Sequence, residues 1–141
     1  MSKKIRMYFL CIHNRCRSQI AEAYAQHYGG EHIIAESAGL EPGDIHPFTI
    51  EVMKEVGIDI SQREAKGLNM KTFTHSNLIV KLCEQVKEKC PIVPFGIQSV
   101  QWDIPDPVPS DIEAFRNTRD EIENKVVKLL QELNIPVEQA R

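Results

Sequence analysis

Ile5-Arg6-Met7-Tyr8-Phe9-Leu10-Cys11-Ile12-His13-Asn14-Arg15-Cys16-Arg17-Ser18 is the stretch whose reading decides the fold. Six residues of an apolar run read as a buried strand, and a helical pattern begins directly after Ser18. Between them lies a cysteine followed, five residues on, by an arginine at a helix start. That arrangement suits an oxyanion: the backbone N–H groups of Ile12, His13, Asn14, Arg15, Cys16, Arg17 and Ser18 can turn inward as a nest, and the helix N-terminus adds partial positive charge. Arg17 can offer a guanidinium fork to a tetrahedral anion. The same field favours a thiolate at Cys11, which makes Cys11 the expected nucleophile facing the bound anion.

The rest of the chain alternates strands and helices. Ile5–Leu10, His32–Ser37, Asn77–Leu82 and Ser99–Trp102 read as strands. Gln19–Tyr28, Pro47–Val56 and Asp111–Leu133 read as amphipathic helices, the first with Ile20, Ala23, Tyr24, His27 and Tyr28 on its buried face. This order predicts an α/β fold: a single domain over residues 1–141, with a four-stranded parallel sheet flanked by helices on both faces and the anion-binding loop after the first strand. Ligands in such folds sit at the C-terminal strand ends, where Cys11 and Cys83 both fall.

The 141 residues carry a formal charge of −3 and no basic block, which argues against nucleic acid. No apolar run is long enough to span a membrane. Lys3-Lys4 and the short apolar run after them are too brief for a secretion signal. The expectation is a cytoplasmic monomer, where four cysteines point to catalysis or metal binding rather than structural disulfides. The histidines His27, His32, His46 and His75 show no metal-ligand spacing, and no metal or cofactor is expected.

Cys83 and Cys90 flank the helix-favouring Glu84-Gln85-Val86-Lys87-Glu88-Lys89, which Pro91 ends. A helix would hold these cysteines about 10 Å apart along its axis, whereas a disulfide needs Cα atoms within about 7 Å. The pair is therefore a poor staple and a good redox switch. Asp106, on a loop stiffened by Pro105, Pro107 and Pro109, is a candidate proton donor, with Asp103 as its rival. Cys16 reads as a packing residue able to pair with Cys11 under oxidative stress.

These residues resemble a known family. Cys11-x5-Arg17-Ser18-Gln19, Glu36-Ser37-Ala38-Gly39, His46-Pro47, Met53 to Ser61, Leu82-Cys83, Cys90-Pro91 and Trp102-x3-Asp106-Pro107 occur in this order in thioredoxin-coupled arsenate reductases. Those enzymes belong to the low-molecular-weight tyrosine phosphatase superfamily. The resemblance implies arsenate as substrate and thioredoxin as partner, with Cys11, Arg17, Cys83, Cys90 and Asp106 catalytic. It also implies a disulfide passed from Cys11–Cys83 to Cys83–Cys90, with Ser18 bonded to the Cys11 sulfur and Asn14 shaping the loop. Ile12, His13 and Arg15 differ from the common reductase loop, and the histidine occurs in relatives recycled by low-molecular-weight thiols. Asn14, Glu22 and Ser37 match a potassium site of some relatives, but Lys66 stands where an aspartate is expected, so its ammonium should replace the ion. Lys81 replaces a usual threonine. Phosphomonoester hydrolysis by Cys11, Arg17 and Asp106 is the alternative function; a cysteine-rich zinc or arsenite binding module is a remote one.

Overall fold

A computed structural model describes residues 4–83, 86, 90–108 and 110–137. Four strands form one parallel sheet in the order β2-β1-β3-β4: β1 (Ile5–Cys11), β2 (Ile33–Gly39), β3 (Leu78–Lys81) and β4 (Gln98–Gln101). The register sets Leu10 beside Ala38 and Lys81, and Cys11 beside Gly39. With a neighbour on each side, β1 is buried from Met7 onward, which is why it reads as a continuous apolar run. Side chains alternate across the sheet. Met7, Phe9 and Cys11 enter one core, and Tyr8, Leu10 and Ile12 enter the other.

The larger core lies under α1 (Arg17–Gly29), α2 (Pro47–Glu55) and α4 (Ile112–Glu132). The three amphipathic helices expected are present, and their boundaries shift for local reasons. Asp111 is the N-cap of α4, its carboxylate accepting from Ala114 N at 3.2 Å, so it precedes the helix rather than opening it. Pro47 occupies the first turn of α2, where a missing N–H costs nothing, behind the capping ring of His46. The expected one-faced burial of α1 is corrected. Arg17 through Ala25 are all buried while His27 is only half-buried, because α1 is enclosed by the sheet and α4. A helix enclosed in this way need not be amphipathic.

The second core lies on the opposite face of the sheet. A short helix that the sequence pattern does not announce, α3 (Met70–Thr74), is capped by the Asn69 side chain, which accepts from Thr72 N. It inserts Phe73 into the second core beside Tyr8, Leu10, Ile79, Cys83 and Val86. The helix expected over 84–89 falls largely outside the described residues. Val86 N donates to Cys83 O at 3.2 Å and Cys90 N to Val86 O at 2.8 Å, both helix-type bonds. No helix among the described residues is long and apolar enough to cross a membrane.

Candidate active site

The loop after β1 is shaped by what its carbonyls do. The carbonyls of Cys11, Ile12, His13 and Arg15 accept from Leu40 N (3.1 Å), Glu41 N (2.7 Å), Gly43 N (3.0 Å) and His46 N (3.0 Å). A trans peptide points its N–H opposite to its C=O, so four carbonyls turned toward residues 40–46 leave the following N–H groups on the inner side. Asn14 N shows this directly, lying 3.2 Å from Cys11 Sγ. Gly39 permits the approach: a Cβ there would lie 2.6 Å from His13 C and 2.7 Å from Asn14 N. Glycine at this position serves close packing of strand against loop.

Asn14 holds the loop together. Its backbone is left-handed, with φ of 54°, which asparagine tolerates better than most residues. The fully buried amide makes four hydrogen bonds. Nδ2 donates to Ser18 Oγ (2.7 Å) and Ser37 Oγ (3.0 Å), and Oδ1 accepts from Gln19 Nε2 (2.8 Å) and Lys66 N (2.7 Å). Because Ser18 Oγ accepts from Asn14, its own proton is free for Cys11 Sγ at 2.8 Å. Two donors thus converge on a buried sulfur, a setting that supports a thiolate nucleophile. Cys16, capping α1 from the core, is different: burial pushes its thiol up to about 12, so it stays protonated.

Behind Asn14, Ser37 Oγ donates to Glu22, and the same carboxylate receives Lys66 Nζ at 3.3 Å and Arg63 Nη1 at 2.6 Å. Lys66 therefore lies where the sequence comparison anticipates it. Arg63 is a partner the sequence does not announce. A carboxylate already met by two cationic side chains does not suit a further monovalent cation.

Arg17 is buried at the start of α1. Its Nη1 donates to Ile104 O at 2.8 Å, and its Nη2 lies 3.9 Å from Asp106 Oδ2. One prong of the expected fork is thus engaged in holding the segment that carries Asp106. Asp106 Oδ1 accepts from Val108 N, which leaves Oδ2 facing the loop, where Arg15 Nη2 also approaches to 3.7 Å. Asp103, the rival, is turned to Gln101 Nε2. His13 directs Nδ1 to Glu41 O, so it ties the loop to its neighbour.

Cys83 and Cys90 lie on the other face. Leu82 N donates to Leu10 O, which brings Cys83 beside the end of β1, buried with Ile12 and Val86. Cys11 belongs to the first core and Cys83 to the second, so the two thiols sit at neighbouring strand ends on opposite faces of the sheet. Cys90 is half-buried, and burial pushes its thiol up while the charge of Lys81 opposes the shift. All four cysteines are free thiols.

Residues 6–139 match the family described as low molecular weight phosphotyrosine protein phosphatase. Arsenate reductase 2 of Staphylococcus saprophyticus is 39% identical over 126 residues, covering 89% of this chain and 95% of that one. Among solved structures, an arsenate reductase in the phosphate binding state is 31% identical with a TM-score of 0.78, over 91% of this chain and 98% of that one. The thioredoxin-dependent arsenate reductase of Corynebacterium glutamicum is 30% identical with a TM-score of 0.79; the match covers 94% of this chain but 63% of that longer one.

Proposed function

The chain belongs to the low molecular weight phosphotyrosine protein phosphatase family, and from that premise we propose that it is an arsenate reductase recycled by thioredoxin. The observation that carries the reading is the placement of Cys83 beside the strand end that bears Cys11, with Cys90 seven positions further along the chain. Ester hydrolysis has no use for either thiol.

Arsenate binds against the inward N–H groups of residues 12–18, with Arg17 countering its charge. The Cys11 thiolate attacks arsenic, and Asp106 gives the proton with which one oxygen leaves as water. The Cys83 thiolate then attacks Cys11 Sγ. The electron pair of the arsenic–sulfur bond stays on arsenic, which departs as arsenite, reduced by two electrons, and a Cys11–Cys83 disulfide remains. Cys90 attacks Cys83, frees Cys11, and leaves Cys83–Cys90 for a dithiol to reduce. Since Cys11 and Cys83 face opposite sides of the sheet, the first exchange requires the segment after Leu82 to move. A relay of free thiols fits the cytoplasm.

Ile92 and Phe95 support a protein as reductant. They are 93% and 107% exposed, the two most exposed large apolar side chains among the described residues, and lie two and five positions beyond Cys90. A partner that brings a thiolate to this disulfide covers them.

The test is arsenate-dependent NADPH consumption with thioredoxin and thioredoxin reductase, beside phosphate-ester hydrolysis by the same preparation. Turnover that Cys83→Ser and Cys90→Ser each abolish, with ester hydrolysis retained, is the expected result. Hydrolysis without arsenate-dependent NADPH use would make the protein a phosphatase.

A further inference from the structure

We propose that Arg15 is a second guanidinium of the anion site, paired with Asp106 when the loop holds no anion and transferred to the oxyanion when one binds, so that it sets the affinity for doubly charged anions. The inference rests on the anion loop assigned above and adds a binding residue to it.

The charge count motivates it. A Cys11 thiolate facing a dianion brings three negative charges into one loop. Arg17 supplies one positive charge, and the N-terminus of α1 supplies about half of another. Arg17 also has Nη1 engaged by Ile104 O, so it meets the anion with the remainder of its fork. The other nearby groups do not make up the difference. Burial first, then the charge of Arg15, holds His46 below the ordinary histidine range, so it is neutral near pH 7. The His46 ring is further fixed by Phe48 N, which donates to Nδ1, and by Phe115, at 4.7 Å between centroids. His13 faces a backbone carbonyl through Nδ1, and the Cys16 thiol stays protonated. Besides Arg17, Arg15 is the one guanidinium on the loop from Cys11 to Ser18.

Its geometry allows the transfer. The Arg15 carbonyl is fixed by His46 N at 3.0 Å and Thr49 Oγ1 at 2.9 Å, so the side chain swings from an anchored peptide. Asp106 Oδ2 is the one ion-pair partner recorded for its guanidinium among the described residues, at 3.7 Å, longer than a hydrogen bond. Both side chains are about a third exposed, so the pair exchanges readily. The two guanidiniums, 3.7 and 3.9 Å from the same carboxylate oxygen, already converge on one negative atom. An anion seated between Cys11 and Asp106 competes for both.

The experiment is calorimetric titration with inorganic phosphate, which probes binding without turnover, on the wild type, Arg15→Ala, Arg15→Lys, Asp106→Asn and Arg15→Ala/Asp106→Asn. Arg15→Ala should weaken phosphate binding about tenfold or more, the size of one charge-assisted hydrogen bond. Arg15→Lys should recover part of the loss. Asp106→Asn should tighten binding more in the presence of Arg15 than in its absence, because only there does the carboxylate compete for the guanidinium. Unchanged phosphate affinity in Arg15→Ala, or an Asp106→Asn effect independent of residue 15, would overturn the inference. Arsenate turnover followed in parallel separates the two readings: intact turnover with unchanged phosphate affinity removes the role of Arg15 alone.

Discussion

Replacing Gly39 by alanine adds one methyl group where β2 meets the anion loop, and the structure sets the size of the response. The backbone of Gly39 is not in the left-handed region, so alanine adopts it without strain, and any effect comes from space alone. The new Cβ would lie 2.6 Å from His13 C and 2.7 Å from both Asn14 N and Ile12 O, all backbone atoms. Ordinary carbon contacts begin near 3.5 Å, so strand and loop must separate by roughly 0.8 Å. The loop resists, since four of its carbonyls and all four hydrogen-bonding positions of the Asn14 amide are engaged. Overpacking of this kind costs about 1–3 kcal/mol, or roughly 3–10 °C in Tm for a chain of this length. The larger effect should fall on chemistry. Asn14 N lies 3.2 Å from Cys11 Sγ, and a displacement near 1 Å of groups aligned for reaction costs about 10²-fold in rate. Differential scanning fluorimetry and steady-state arsenate kinetics measure the two. An alanine variant with kcat/KM within about twofold of wild type would refute the claim that close contact of β2 sets the loop geometry.

Three further outcomes follow from the site. Asp106→Asn should slow formation of the Cys11–arsenic adduct about 10²-fold or more, and Asp103→Asn should not, because only Asp106 faces the loop; rapid-quench mass spectrometry of the adduct checks both. Ile92→Ser with Phe95→Ser should raise the KM for thioredoxin severalfold and leave single-turnover arsenite release unchanged, as seen in coupled assays at varied thioredoxin. The Cys90 thiol is held above its ordinary range, so it is protonated at neutral pH and its thiolate fraction grows about tenfold per unit as pH rises toward that value. Transfer of the disulfide from Cys11–Cys83 to Cys83–Cys90 should therefore accelerate with pH, and Lys81→Met should slow it at any pH below the titration, both measured by acid quench and peptide mapping.

The sequence made legible whatever depends on local pattern. The apolar run Ile5–Leu10 and the helix after Arg17 marked the first βα unit, and regular alternation marked the parallel sheet. The C-x5-R spacing marked the loop, because a nest of N–H groups must follow a strand and open a helix. Contacts between distant segments were not legible. Arg63 meets Glu22 across 41 positions, and the Ile104 carbonyl takes one prong of Arg17 across 87, with no local signal for either. The short α3 escaped notice because five residues carry too little periodicity. Asp106 and Asp103 were indistinguishable by composition; only the turn that engages Asp106 Oδ1 with Val108 N aims its other oxygen at the loop. The opposite-face placement of Cys11 and Cys83 follows from strand register, which no single segment encodes.

The central claim is that Cys11, Cys83 and Cys90 pass two electrons to arsenate in sequence. The most direct measurement treats fully reduced Cys90→Ser protein with arsenate in the absence of any reductant, then counts the arsenite released and maps the disulfides by mass spectrometry. The account predicts about one arsenite per protein, the stoichiometry of a single two-electron exchange, with Cys11 joined to Cys83 and Cys16 free. Release of no arsenite, or a Cys11–Cys16 disulfide with Cys83 still a thiol, would contradict it.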